Sequence, residues 1–236
     1  MEKLLTQEKT KKVSRRDLGR LFDRQIKTLK ERGCPEQIIK MFQKQRDLVL
    51  KKASEMQFAE GNIPFIPVIP RTYRGICDLM TMVRYGKKQG YVTINPADII
   101  DEIDTPKNPY YIYDVNYGIA LDGASPKQSV NFLKGSSMLP LTVAEVIALC
   151  VHTDILSRFF VYAVGSRYKN SSLVPVIRYF DIDHYDRGDL MRGRPFLYIC
   201  CVDYEGAHYV SPSCGGREEH QQALQHFFAQ YLIRKR

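Results

Sequence analysis

Apolar positions along the 236-residue chain recur at two periods, and the change of period marks where helices give way to strands. Leu18, Leu21, Phe22, Ile26 and Leu29 fall at helical spacing behind Ser14, with Asp17 three residues on, the arrangement of a weakened capping box. Gly33 ends that helix and Pro35 opens a second, because glycine tolerates the closing turn and proline the first helical position. Ile38, Ile39, Phe42, Val49 and Met56 form its apolar face, with Gln45 at the edge, so it is expected to run to about Phe58. Two helices joined by Gly-Cys-Pro predict an antiparallel helical hairpin.

From Gly61 onwards the apolar runs shorten and gain Val, Ile, Tyr and Phe, which suits strands. IPFIPVIP carries prolines at 64, 67 and 70, each lacking a backbone donor, and is expected at a sheet edge. Ile76 to Arg84 and Tyr91 to Ile94 are read as strands around the YGKKQG turn, ADIIDEIDTPKNP as an acidic loop or a single helical turn, and Tyr110 to Val115 as a strand. Ser125-Pro126 predicts a short helix through about Lys134. Thr142 and Glu145 form a T-x-x-E box in front of a helix that is apolar all round and must be covered on every side. Phe159 to Val164 and Leu173 to Ile177 are expected to pair as a central β-hairpin about a polar loop, Gly165 to Ser172. A polar loop containing Asp181, Asp183, Asp186 and Asp189 follows, then a strand from Phe196, with His208 to Val210 pairing back onto it. An amphipathic C-terminal helix is expected from Arg217. The pattern is that of an α+β protein: a basic helical hairpin over residues 1–60, then over 61–236 a mostly antiparallel sheet packed by a buried helix and the C-terminal helix.

With 44% hydrophobic and 26% charged residues the composition is globular. No apolar run approaches the roughly 20 residues of a transmembrane helix, and the charged start MEKLLTQEKTKK has no secretory core, so a soluble cytoplasmic protein is expected. In that compartment the six cysteines are expected as free thiols. The charge is unevenly placed. Residues 1–60 carry 16 Lys and Arg against nine Asp and Glu, a net +7, whereas the rest of the chain carries only +2. A solvated face is the first account of such a surface; an anionic ligand or acidic protein partner, nucleic acid or an anionic membrane surface are the others. No aromatic residues interleave with these bases, which argues against nucleic acid.

Two constellations could carry chemistry. Gly165, Ser166 and Arg167 follow a buried strand and combine close approach, a hydroxyl and a guanidinium that grips two oxygens, the parts of an anion contact; ordinary turns use the same residues. Cys200, His208 and Cys214 could form a reactive thiol cluster if the turn after the Phe196 strand brings them together. Adjacent Cys200 and Cys201 point to opposite faces of a strand, so at most three zinc ligands result and no metal site or cofactor is expected. His152, at the end of the buried helix, is a ligand-binding candidate, although a histidine there is more often a satisfied helix-terminal residue than a base. Counting from Asp181, the glycine and glutamate positions of a calcium loop hold Asp186 and Arg192, so that reading fails. No nucleophile elbow, phosphate loop or zinc-protease motif is present. Two function readings remain: a binding or interaction protein contacting an anion through the Gly165–Arg167 loop, or a hydrolase or transferase using Cys214 or Cys200 with a histidine.

PLTVAEVIALCVHTDIL from Pro140, AVGSR ending at Arg167, Val174-Pro175 and the later His208 and Cys214 resemble a bacterial domain family of unknown function. That family's pattern is a PLT-x-x-E-x-x-A…H helix, an LGSR turn, a Val-Pro strand and a closing cysteine. The likeness runs over roughly residues 60 to 216 and implies that Thr142, His152, Gly165, Ser166, Arg167 and Cys214 occupy motif positions. The chain departs from the pattern by having no tryptophan, so no role here can depend on indole stacking.

Overall fold

The structure, a computed structural model, describes residues 10–169, 172–179 and 193–220. Three helices come first: α1 (Arg15–Glu31), α2 (Glu36–Lys44) and α3 (Arg46–Glu55). Ser14 caps α1, its hydroxyl oxygen accepting from the Asp17 amide. The single second helix expected from the sequence is two helices, broken at Gln45. There the amide bonds back only three residues to the Phe42 carbonyl, while the buried side chain donates to the carbonyls of Met41 and Pro109.

Beyond the helices come β1 (Ile63–Val68), α4 (Ile76–Met82), β2 (Tyr91–Val92), β3 (Ile99–Asp101), β4 (Tyr110–Val115) and α5 (Pro126–Lys134). They are followed by β5 (Leu139–Pro140), α6 (Val143–His152), β6 (Phe160–Tyr162), β7 (Ser166–Tyr168), β8 (Leu173–Arg178), β9 (Phe196–Cys201), β10 (Tyr209–Val210), β11 (Ser213–Cys214) and β12 (Gly216–Glu218). A five-stranded sheet has the order β10-β6-β8-β9-β2, and a three-stranded antiparallel sheet the order β12-β4-β1. Two further ladders, β7 with β3 and β11 with β5, are antiparallel. Six α-helices among the described residues, with mostly antiparallel sheets, make an α+β fold.

The expected central hairpin is present, β6 pairing with β8 through Val161 opposite Ile177. The proline-bearing β1 lies at a sheet edge, with β4 as its strand partner among the described residues. Three expectations are corrected. Ile76 to Arg84 is mostly helix, because Ile76, Leu79 and Met80 share one buried face at i, i+3, i+4 and the segment lacks the β-branched density of a strand. Ile99–Asp101, read as loop or helical turn, is the strand that pairs with β7. Tyr209 and Val210 run parallel to Phe160 and Val161, not beside β9. Of the expected C-terminal helix, Arg217 and Glu218 lie in β12, and residues from 221 onwards, like the 181–189 acidic loop, are outside the described residues.

One apolar core joins the helical layer to the sheets, from Leu18 and Phe22 through Phe65 and Tyr111 to Val146 and Val161. Tyr111 is its aromatic hinge, with ring centroids 6.1 Å from Phe22, 5.5 Å from Phe42 and 5.9 Å from Phe65. Helix α6 lies inside that core, buried from Val143 through Val151, as its all-round apolar sequence requires.

Candidate functional site

The densest polar network surrounds the first turn of α6. Glu145 is fully buried, and its carboxylate accepts from the Thr142 amide (2.8 Å) and hydroxyl (3.1 Å), the Tyr110 hydroxyl (2.9 Å), and Nε (2.6 Å) and Nη2 (2.8 Å) of Arg217. The two-pronged arginine contact neutralises the carboxylate, and the remaining donors saturate its oxygens, the condition for a tolerated buried charge. Burial opposes the Arg217 charge, but the hydrogen bonds and attraction of Glu145 outweigh it and hold the guanidinium above its ordinary value. Burial, then the Glu145 charge, pushes the Tyr110 phenol far up, so it stays a donor.

The Gly165–Arg167 segment belongs to the same region and faces inward. A side chain at Gly165 would place its first carbon 2.8 Å from the Leu141 carbonyl, so only glycine lets this strand touch the entry to α6. Ser166 is fully buried; its hydroxyl donates to Asp101 (2.6 Å) and accepts from the Val143 amide (2.9 Å), filling one of the unpaired donors that open every helix. Asp101 is tied to Arg71 at 3.1 Å, and burial raises its carboxyl against the pull of Ser166 and Arg71. Arg167, with a side chain only 11% exposed, donates to the carbonyls of Val164 and Ser166 and reaches Glu102 at 3.3 Å. The loop expected to present its serine and arginine to an external anion therefore has both committed internally. The cause is the β3–β7 ladder, which delivers Asp101 and Glu102 to them.

His152 stands at the other end of α6, facing a cavity between α1, β1 and α4. The residue is half-buried, yet both ring nitrogens are enclosed and have no hydrogen-bond partner. Burial, helped by the charges of Arg32 and Arg24, lowers its pKa to about 3 and keeps the ring neutral.

The thiol candidates are not gathered into one site. Cys200 lies on β9 in the five-stranded sheet, Cys214 on β11 beside Glu145 and Arg217, and His208 is an exposed residue with φ of 67°. Burial pushes the Cys214 thiol up to about 12 and raises that of Cys200, so both are protonated near neutrality. Among the described residues no group of three or more His, Cys, Asp or Glu could hold a metal ion, and no helix is long and apolar enough to cross a membrane.

The open chemistry lies on the helical layer. Between α1 and the α2–α3 junction runs a groove of about 520 Å³, with Phe22 and Ile26 at its floor and Asp23, Lys27, Lys30 and Arg46 around it. Arg46 covers the Phe22 ring at 5.6 Å and sits 3.5 Å from Asp23, while Lys27 is 3.8 Å from Glu31.

Of the residues that define these sites, Thr142 and Glu145 were visible as a capping box, and Gly165, Ser166, His152 and Cys214 as candidates. Arg217, Tyr110, Asp101 and Arg71 were not. Arg217 is 72 positions from Glu145, and no local pattern announces such a partner.

A family model described as a family of unknown function (DUF5701) matches residues 21–175. No curated protein and no solved structure matches the chain.

Proposed function

The chain belongs to the DUF5701 family, whose function is unknown, and from its own surface we propose that it is a binding protein that docks an acidic polypeptide segment on the α1–α3 layer. The observation that carries this reading is the groove with an apolar floor and a rim in which Lys27, Lys30 and Arg46 outnumber Asp23, on the quarter of the chain that holds a net +7. Phe22 and Ile26 offer an apolar anchor point, and Lys27, Lys30 and Arg46 favour carboxylates around it. The anionic contact thus moves from Gly165–Arg167, whose donors are engaged, to the helices. The alternative of a hydrolase or transferase using Cys200 or Cys214 has no comparable support, since burial makes both thiols poor nucleophiles.

A fluorescent peptide of glutamates with interspersed leucines is the direct probe. Binding should weaken with added salt, and Lys27→Glu with Lys30→Glu should reduce affinity by roughly tenfold or more, since two surface charges change sign. Unchanged affinity in that double variant, or tighter binding to a DNA oligonucleotide than to the peptide, would overturn the reading.

A further inference from the structure

The floor of the groove between α1 and the α2–α3 junction is not bare. On the core side Phe22 stacks on Tyr111, with ring centroids 6.1 Å apart, and it is only 2% exposed although it lines the groove. On the groove side the guanidinium of Arg46 stands 5.6 Å from the centre of the Phe22 ring. The Arg46 Nε is 3.5 Å from a carboxylate oxygen of Asp23, and a first side-chain carbon at Gly19 would lie 3.4 Å from Nη2. The guanidinium therefore lies across one turn of α1, from Gly19 to Asp23, with Phe22 beneath it.

Both contacts that hold Arg46 there are easily exchanged. Its side chain keeps 41% of its surface exposed and that of Asp23 keeps 67%, so water screens the ion pair. A cation over an aromatic ring at such a site is no stronger, and each contact shifts an equilibrium by no more than about fivefold. Lys27 and Lys30 are placed differently. Both are exposed on the rim, and Lys27 turns to Glu31 at 3.8 Å, four residues along the same helix. Of the three groove cations, Arg46 is the one set over the floor, so it separates Phe22 from any side chain that docks.

We propose that Arg46 is a latch on the groove, which opens to a polypeptide segment carrying a carboxylate beside an apolar side chain and stays shut to a segment carrying only one of the two. Such a latch rests on the docking of an acidic polypeptide at this groove and specifies what that polypeptide must present. A carboxylate that offers both oxygens to the guanidinium makes the stronger, two-pronged contact and draws it off Asp23 and the Phe22 ring. The apolar neighbour then takes the ring face that Arg46 leaves. A carboxylate alone gains Arg46 but leaves Phe22 open to water, and an apolar side chain alone must desolvate a charged cover.

The test uses the full chain and three fluorescent peptides: the glutamate-leucine peptide, its glutamine-leucine counterpart and its glutamate-alanine counterpart. On wild type both counterparts should bind roughly tenfold or more weakly than the glutamate-leucine peptide. On Arg46→Ala the glutamine-leucine peptide should bind about fivefold more tightly than on wild type, because the floor is uncovered, and the glutamate-leucine peptide more weakly. Asp23→Asn, which frees the latch, should tighten glutamate-leucine binding roughly two- to fivefold, whereas Glu55→Gln, which removes the same charge at the far end of α3, should leave it nearly unchanged. The neutral dye N-phenyl-1-naphthylamine probes the floor without a peptide. Its fluorescence should rise with Arg46→Ala, and its amide shifts should centre on Phe22 and Ile26. If no peptide binds wild type, the docking reading fails and the dye decides: a rise centred on Phe22 keeps Arg46 as the cover of the floor, and no rise overturns it. If the glutamate-leucine peptide binds, then equal binding of the glutamine-leucine peptide to wild type and Arg46→Ala, or dye shifts spread through the core, overturns the latch and leaves the docking reading standing.

Discussion

Glu145 shows how a single residue can set the chemistry of its surroundings. It caps α6 from inside the core, and the positive partner that makes its burial tolerable arrives from β12, the last described strand. Removing that partner strands the carboxylate. Arg217→Ala should therefore destabilise the fold by about 3–5 kcal/mol, whereas exchanging both residues for apolar ones of similar volume should cost much less. Urea unfolding of the two variants decides between these outcomes. His152 makes the opposite argument, a group kept neutral where charge is unwelcome. Its folded pKa of about 3 lies below its ordinary 6.5, so its contribution is fully present above pH 6.5 and is lost as pH falls toward 3, where the unfolded chain binds the proton first. Comparing wild type with His152→Leu between pH 7 and pH 4 should show the wild type losing roughly 3 kcal/mol more than the variant. Parallel acid limbs would mean that the ring is not held neutral.

At the scale of elements, legibility followed locality. Helices α1, α5 and α6 were readable because Ser14, Ser125 and Thr142 announce their starts within one turn, and β1 because its prolines exclude a central position. Helix α4 was misread because seven residues, Ile76–Met82, are too few for the helical period to stand out from a short apolar run. The β3–β7 ladder joins segments more than 60 positions apart, so the inward capture of Ser166 and Arg167 had no local sign. The break at Gln45 has the same origin. Its side chain donates to the Pro109 carbonyl at 3.0 Å and accepts from the His220 amide at 3.3 Å, pinning the α2–α3 junction to the sheet. Gln45→Leu should leave those two groups unmet and lower stability by about 1–3 kcal/mol, read from thermal unfolding, with loss of protection at the start of α3 in hydrogen exchange. A neutral result would show that the pin does not hold the junction.

At the scale of the whole molecule, the helical layer and the sheets share one apolar core, while the positive charge stays on the outside of the helices. The sequence conveyed that division of charge directly, since net charge is a count and needs no contacts. It could not convey that the Gly165–Arg167 turn is held inward by Asp101 and Glu102, which is why the proposal places partner binding at the groove over Phe22 and Ile26. Mapping the amide shifts of the full chain on titration with the glutamate-leucine peptide tests that claim most directly. The account predicts perturbations centred on Phe22 to Lys30 and Gln43 to Arg46, abolished when Lys27 and Lys30 are both changed to Glu. Shifts centred on Gly165 to Arg167 instead, or none on the helices, would contradict it.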